Sequence, residues 1–160
     1  MSAMEFKADS FRLFAEQWAL VTAGDADDFN TMTIAWGGLG TLWRKPVATV
    51  YIRPDRYTYG YMNRSERFTV SFFSAEYRDD LQLLGSLSGR DGDKIAKTKL
   101  TPKPLGDGVM GFAEAQKTLV CRKICWQDMD PSHMADTFAL QLYQTAPVHR
   151  MFIGEVEQIL

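Results

Sequence analysis

Short runs of β-branched and aromatic residues, each bounded by turn-forming residues, constrain the fold of this chain more than any other sequence feature. The runs at residues 47–52 and 68–73 are the clearest, because both are of strand length and rich in strand-favouring residues. Residues 18–23, 113–126 and 151–156 have the same character. Such segments must bury a face against one another, so the chain is predicted to be mainly β.

The other periodic segments predict one further strand and only short helices. Residues 30–36 alternate loosely and follow a turn at residues 24–28, which predicts a hairpin with the strand before it. Ser10 is a candidate cap for a first helix. Helical spacing is found at residues 11–14, 56–62, 77–85 and 93–98. Because strands outnumber helices and βαβ alternation is weak, we expect an antiparallel β-barrel with a few short peripheral helices.

The size and charge of the chain narrow the classes of partner. Its 160 residues suit one domain, so residues 1–160 are predicted to form a single domain. Eighteen Lys and Arg against 20 Asp and Glu give a net charge of −2, which argues against a nucleic-acid partner. No apolar run is long enough to span a membrane, and residues 1–10 lack the apolar core of a signal peptide. We therefore expect no membrane partner and a reducing cytoplasmic location.

Two familiar ligand motifs fail on their spacing. Gly38-Leu39-Gly40 is followed by Trp43 where a dinucleotide fingerprint needs its third glycine. We interpret this segment as a loop that allows close backbone approach. The aspartates of residues 25–28 lack the glycine and the closing glutamate of a calcium-binding EF-hand, so they are read as a solvated turn.

The cysteines and histidines do not form a recognisable reactive set. Cys121 and Cys125 share one face of a predicted strand about 13 Å apart, too far for a disulfide, and are interpreted as buried or half-buried thiols, with a redox role for one of them left open. His133 and His149 have no neighbour at a metal-binding spacing. No metal site and no nucleophile–base pair is predicted.

Two loops carry the most suggestive chemistry, which is that of an anion site. Arg53-Pro54-Asp55-Arg56-Tyr57-Thr58, here called the arginine turn, places two guanidinium groups, a phenol and a hydroxyl at a strand-to-helix junction. Ser88-Gly89-Arg90-Asp91-Gly92-Asp93-Lys94, here called the glycine loop, ends in a cation and suits an anion held by backbone N–H groups. Loops of this kind are more commonly solvated turns, and that alternative stays open for both segments.

Aromatic residues are concentrated near the same strand ends and offer stacking surfaces to a planar ring. The alternative is that they belong to the core, as aromatic residues in strands commonly do. The residues concerned are Trp36, Trp43, Tyr51, Tyr57, Phe72 and Phe73.

Taken together, the segments resemble one known family. Asn30-Thr31-Met32-Thr33-Ile34-Ala35-Trp36-Gly37-Gly38-Leu39-Gly40-Thr41-Leu42-Trp43, the arginine turn, Phe68-Thr69-Val70-Ser71-Phe72-Phe73, the glycine loop and His149-Arg150-Met151-Phe152-Ile153-Gly154-Glu155 occur in the order found in the flavin reductase-like family. The chain is most similar to its flavoredoxin branch. The resemblance extends from about residue 11 to residue 156, which marks the expected domain core.

The resemblance implies a Greek-key split β-barrel, a homodimer, and non-covalent FMN near the subunit interface. Carried over by position, the resemblance implies three groups of cofactor contacts. One lies along the ring and ribityl chain, one lies at the phosphate, and one belongs to the glycine loop that closes the site. These are Asn30, Thr31, Met32, Thr33, Ala35, Trp36, Arg53, Arg56, Tyr57, Thr58, Ser71, Phe72, Phe73, Ser88 and Lys94.

The implied function is transfer of hydride or electrons through FMN, from NAD(P)H or a partner protein to an acceptor. The flavin performs the redox chemistry, so no catalytic acid or base is needed, and Lys94 and His149 are candidates for tuning it. Family members that oxidise NAD(P)H for monooxygenases often carry Gly-Asp-His before the last strand, whereas here the run is Pro147-Val148-His149-Arg150, which favours flavoredoxin-like electron transfer. The alternatives are a non-catalytic FMN-binding module for storage or sensing, and a structural dimer with a vestigial pocket.

Overall fold

The computed structural model describes residues 1–160, which form nine strands and four helices. The strands are β1 (Ala19–Gly24), β2 (Phe29–Ile34), β3 (Gly37–Leu42), β4 (Lys45–Ile52), β5 (Arg67–Phe72), β6 (Pro102–Gly106), β7 (Val109–Phe112), β8 (Lys117–Asp128) and β9 (Arg150–Ile159). The helices are α1 (Ser10–Arg12), α2 (Thr58–Arg64), α3 (Arg78–Ser86) and α4 (Thr137–Thr145). None of them is long and apolar enough to cross a bilayer.

Seven strands form one antiparallel sheet, in the order β2-β1-β5-β8-β9-β4-β3. β6 and β7 form a separate hairpin. The predicted pairing of the first two strands is confirmed, with Ala19 opposite Ile34 and Gly24 opposite Phe29. The expectation of a mainly β, antiparallel chain with a few short helices is therefore confirmed.

The two faces of the sheet bury different clusters, as the two-residue period of a strand requires. On β1, Ala19, Val21 and Ala23 belong to a cluster of 20 buried residues, whereas Leu20 belongs to a second cluster of six. The larger cluster includes residues of β1, β2, β4, β5, β8 and β9. Strands from both ends of the sheet thus share one core, which requires the sheet to curl.

The smaller cluster fixes α3 on the outer face of the sheet. Leu81 and Leu84 of α3 pack there with Leu20, Phe73 and Phe112. α3 also contacts β2 directly, because the Thr33 hydroxyl donates a hydrogen bond to the Leu81 carbonyl. The middle of α3 is thereby held beside β2, and Gly85 near its C-terminal end also packs against Thr33, next to the glycine loop that follows.

Local predictions at the start of the chain need correction. The side chain of Asp9, and not that of Ser10, caps α1 by accepting a hydrogen bond from the Arg12 N–H. Gly38-Leu39-Gly40, interpreted above as a loop that allows close backbone approach, belongs to the edge strand β3, and an added Cβ at Gly38 or Gly40 would meet nothing within 4 Å. The close approach is found at Gly37, where a Cβ would lie 2.5 Å from the Phe14 ring.

Three further differences lie in the second half of the chain. Residues 113–116 form a turn before β8, and the helix expected at residues 93–98 is a single 3-10 turn at Ile95–Lys97. The β6–β7 hairpin and α4 were not predicted. The helix α4 has no buried side chain, although its sequence carries the apolar residues Phe138, Leu140 and Leu142.

Candidate functional site

The arginine turn and the glycine loop, which are separated in sequence, meet in the fold. An Nη1 of Arg90 donates to the carbonyl of Asp55 at 3.1 Å, and the same guanidinium lies 5.3 Å from the centre of the Tyr57 ring. The two loops line a cleft of about 200 Å³. Three arginines, Arg53, Arg56 and Arg90, therefore face one small, polar space.

A buried hydrogen bond connects the floor of this cleft to β2. Nδ2 of Asn30 donates to Oγ1 of Thr58 at 2.7 Å, and both residues are buried. Gly89 lies directly above them: a Cβ there would be 2.3 Å from Oδ1 of Asn30 and 2.9 Å from Cδ1 of Tyr57. The glycine is thus required for the loop to approach the floor this closely.

Two cations that line the cleft are fixed by the C-terminal end of α3. The Lys94 ammonium donates to the carbonyls of Leu84 at 2.9 Å and Leu87 at 3.1 Å. Nη2 of Arg56 donates to the Gly85 carbonyl at 2.9 Å. Unpaired carbonyls at a helix end favour positive charge, so the helix holds both cations in place.

The surroundings of Lys94 disfavour the positively charged form of its side chain. Burial, and then the neighbouring positive charge of Arg56, lower the pKa of Lys94 from 10.5 to about 8. The ammonium form nevertheless predominates at pH 7, and its side chain lines the cleft. A negatively charged ligand bound there would relieve the repulsion between the two cations.

A second, larger cavity of about 510 Å³ adjoins the cleft. Asn30, Tyr57, Gly89 and Lys94 line both spaces. The Tyr61 hydroxyl, on the wall of the larger one, donates to Oδ1 of Asp28 at 2.7 Å; burial, followed by hydrogen bonds to Tyr57 and Asp28, raises the pKa of Tyr61. The combined volume is within the range usual for small-molecule sites, about 300–1,000 Å³.

On the other side of Arg53 lies an aromatic corner formed by Trp36, Tyr143 and His149. The Trp36 and His149 rings are 5.2 Å apart, and the Tyr143 hydroxyl lies 2.6 Å from Nδ1 of His149. Burial is the main cause that lowers the pKa of His149; Arg53 adds to the effect and Asp55 opposes it. The indole of Trp36 is half exposed, so the corner is open to a ligand or partner.

The structure brings together about half of the residues expected to bind the cofactor. Eight of them line the cleft between the two loops, and Trp36 lies in the aromatic corner, with half-buried Ala35 beside it in sequence. The eight are Asn30, Met32, Arg53, Arg56, Tyr57, Thr58, Ser88 and Lys94.

The remaining expected residues have side chains bonded or packed inside the sheet. The Thr31 hydroxyl donates to the Val21 carbonyl, and the hydroxyls of Ser71 and Thr118 are 3.0 Å apart. Thr33 donates its hydroxyl to α3, Phe72 packs edge-on against Phe14, and Phe73 belongs to the outer cluster. For Thr31, Thr33, Ser71, Phe72 and Phe73, contact with a cofactor stays a prediction.

Sequence reasoning missed Arg90 and Tyr143 as site residues. Arg90 was visible within the glycine loop, whose single arginine points back to the arginine turn. Tyr143 had no such signal, because α4 itself was not predicted.

The thiols take no part in the cleft. Cys121 is buried, which raises its pKa, and Cys125 is half-buried; both are free. No group of three His, Cys, Asp or Glu side chains is placed to bind a metal.

The chain is similar in fold to several solved structures, among them a flavoredoxin, an FMN-binding protein and an NADH:FAD oxidoreductase. Flavoredoxin of Desulfovibrio vulgaris (Miyazaki F) is 26% identical, with a TM-score of 0.69 over 97% of this chain and 75% of that one. An FMN-binding protein of Thermus thermophilus, with bound 1-cyclohex-2-enone, is 22% identical, with a TM-score of 0.67 over 98% and 79% of the two chains. An NADH:FAD oxidoreductase of Streptomyces globisporus, in complex with NAD and FAD fragments, is 18% identical, with a TM-score of 0.67 over 90% and 73%.

Sequence comparison decides the family. No curated protein matches the chain. The flavin reductase like domain matches residues 11–160, nearly the whole sequence. The resemblance seen in the motifs is therefore confirmed: this chain belongs to the flavin reductase like domain family.

Proposed function

We propose that this protein is an FMN-dependent oxidoreductase of the flavoredoxin type. It would bind FMN non-covalently and pass hydride or electrons from NAD(P)H or a partner protein to an acceptor. The observation that supports this most directly is the meeting of the arginine turn and the glycine loop around one polar cleft. Membership of the family agrees with it, as does the similarity of fold to an FMN-binding protein and to a flavoredoxin.

The residues of the cleft fit a phosphomonoester. Arg56 and Arg90 supply guanidinium donors, as does Arg53, which is paired with the Asp55 carboxylate at 2.9 Å, and Thr58 and Ser88 add hydroxyl groups at the same wall. Charge-assisted hydrogen bonds of this kind are the strong ones for phosphate oxygens. Gly89 leaves the room that a side chain would fill. We therefore assign the phosphate of FMN to this cleft, with Lys94 closing it.

The isoalloxazine and ribityl chain are assigned to the strand side of the cleft. Asn30 and Met32 line that side, and Trp36 offers a half-exposed indole on the way to the aromatic corner. Bound FMN would supply the capacity to accept and release hydride or single electrons. The contribution of the chain is to bind and orient it, and the fixed charge of Lys94 would favour a more negative ligand state.

The proposal also includes a dimeric assembly and a barrel-shaped sheet. We infer a homodimer that uses the segment from Trp36 to Trp43, since both tryptophans are largely exposed, at 50% and 64%. We also infer that the curled sheet corresponds to the Greek-key split barrel of the family, in one domain covering residues 1–160. The core shared by strands from both ends of the sheet supports the barrel. Sedimentation at micromolar concentration should give twice the 18.2 kDa chain mass.

The proposal is tested by the visible spectrum of the purified protein and its response to reductants. A protein loaded with FMN should be yellow, and anaerobic addition of NADH, NADPH or a reduced carrier protein should bleach the flavin absorbance. A yellow protein that none of these donors bleaches would instead be a storage or sensing module. A colourless protein that does not take up added FMN would contradict the assignment of the cleft.

A further inference from the structure

The acidic turn at residues 24–28, for which the sequence predicts only a solvated turn, reaches across to helix α2. Oδ1 of Asp28 accepts a hydrogen bond from the Tyr61 hydroxyl at 2.7 Å, and Oδ2 accepts one from Nη2 of Arg64, also at 2.7 Å. The turn is itself fixed, because the Asp25 side chain accepts hydrogen bonds from two backbone N–H groups within it. Asp28 is therefore an anchor for α2 that the proposed function does not use.

The Asp28 carboxylate decides where the hydroxyl hydrogen of Tyr61 points. The Tyr61 oxygen is 2.7 Å from Oδ1 of Asp28 but 3.4 Å from the Tyr57 oxygen. Since the carboxylate is the stronger acceptor and the closer one, the single hydroxyl hydrogen goes to Asp28. Burial is the main cause that raises the pKa of Tyr61, so the phenol keeps this hydrogen at neutral pH. The hydrogen bond thereby fixes the position of the Tyr61 ring.

Four side chains form a continuous stack from this anchor to the glycine loop. The Arg64 guanidinium lies over the Tyr61 ring, 4.0 Å from its centre. The rings of Tyr61 and Tyr57 pack edge-on with their centres 5.3 Å apart, and the Arg90 guanidinium lies 5.3 Å from the centre of the Tyr57 ring. Aromatic and cation–π contacts of this geometry are favourable. The stack therefore supports the glycine loop from the side of α2.

The last ring of the stack touches the glycine loop closely. A Cβ at Gly89 would lie 2.9 Å from Cδ1 of Tyr57, so the loop would have to move if this ring were displaced. Arg90 lines the cleft that we assign to the phosphate, whereas Asp28 and Tyr61 are not among the residues that line it. These two residues can act on a bound phosphate only through the Tyr57 ring and the loop.

We propose that Tyr61 and Asp28 are positioning residues, which hold Arg90 of the glycine loop where it binds the flavin phosphate. This inference rests on the proposed function, since it takes the phosphate of FMN as the ligand of Arg90. Neither positioning residue contacts the flavin. Riboflavin has the same ring and ribityl chain but no phosphate, so its binding should not depend on them.

The role of Tyr61 is tested by measuring the affinities of FMN and riboflavin. Tyr61→Leu, which removes the ring that supports Tyr57, should weaken FMN binding about tenfold, and Tyr61→Phe, which keeps the ring, about threefold. Riboflavin affinity should change less than about twofold in both variants. Tyr59→Phe is the matched control in the same helix and should change neither affinity, because this phenol has no hydrogen bond and packs against Phe152.

The role of Asp28 is tested by a double-mutant cycle. Asp28→Ala and Tyr61→Phe remove the same hydrogen bond, so each should weaken FMN binding about threefold. The double variant should bind FMN no more weakly than either single variant. Asp27→Ala, at an exposed position in the same turn, should leave the affinity unchanged.

The support of the loop is tested without FMN by limited digestion with trypsin, which cuts after arginine and lysine. Cleavage after Arg90 requires the loop to open, so it should be several-fold faster in Tyr61→Leu than in the wild type. Tyr59→Phe should be cut there at the wild-type rate. Cleavage after Lys7, which is exposed, is the internal reference and should be equal in all three proteins.

Each outcome supports or overturns the inference. A loss of affinity confined to FMN, together with faster cleavage after Arg90, supports it. Unchanged FMN affinity in Tyr61→Leu, equal losses for FMN and riboflavin, or unchanged cleavage after Arg90 overturns the positioning role and leaves the proposed function intact. A wild-type protein that binds no FMN overturns the proposed function and, with it, the phosphate role of Arg90, whatever the digestion shows.

Discussion

The cleft and the aromatic corner are neighbours, joined by Arg53, yet they are built in different ways. The cleft is held by buried hydrogen bonds from Asn30 and Lys94 and by the close approach of Gly89. The corner depends on α4, a helix without a buried side chain, whose Phe138 is 66% exposed. Core contacts thus preform the cleft, which suits the resident anion of the proposed function, whereas the corner is exposed in the single chain.

The largest effect is expected when a side chain proposed to bind the phosphate is removed from the cleft. Arg56→Ala should weaken FMN binding about 10- to 100-fold, because it deletes a charge-assisted hydrogen bond and also frees the Gly85 carbonyl. Titration calorimetry with FMN measures this. Arg12→Ala, at an exposed guanidinium paired with Asp9 and Glu16, is the control and should leave the affinity unchanged. Equal affinities would show that the cleft is not the phosphate site.

The next effect tests whether the cleft is rigid. Gly89→Ala should lower the free energy of unfolding by about 1–3 kcal/mol, because the new methyl group collides with Asn30 and breaks its bond to Thr58. Gly60→Ala is the matched control: a Cβ there meets nothing within 4 Å, and its helical position predicts a gain of about 0.5–1 kcal/mol. Urea denaturation measures both. If both glycines respond alike, the close packing of the glycine loop is not present in solution.

A pH dependence should follow from the burial of Lys94. Its pKa is about 8 in the folded chain, against a usual value of 10.5. Between these values the unfolded chain binds more protons, so the free energy of unfolding should rise with pH from about 8 to about 10.5. Lys94→Met should remove this rise, which urea denaturation at several pH values will show.

The same substitution tests the tuning role of Lys94: it should lower both FMN affinity and the flavin midpoint potential.

The smallest effect is expected on the open side. Phe138→Ser should change the free energy of unfolding by less than about 0.5 kcal/mol, because the side chain is largely exposed on α4. Thermal denaturation at low protein concentration measures it. A loss above about 1 kcal/mol would mean that α4 is covered in solution, and the contrast between the two regions would then disappear.

The strands were readable from sequence because their pattern is local. The runs at residues 47–52 and 68–73 coincide with β4 and β5 to within two residues at each end. The β1–β2 hairpin was recognisable from its turn. β3 was missed because its glycines have no side chains to form a pattern. α4 was missed as well, and its apolar residues Phe138, Leu140 and Leu142 are not part of the buried core.

For the site, the sequence determined which groups are present: two arginines in one turn, a glycine loop ending in a lysine, and a histidine before the last strand. Only the tertiary structure decided what they do for one another. In the fold, Arg56 and Lys94 donate hydrogen bonds to carbonyls at the end of α3. Gly89 packs against Asn30, and the Tyr143 hydroxyl lies within hydrogen-bond distance of His149. The physical reason is that residue type fixes charge and hydrogen-bonding capacity, whereas partner, burial and pKa depend on neighbours that the folded sheet supplies.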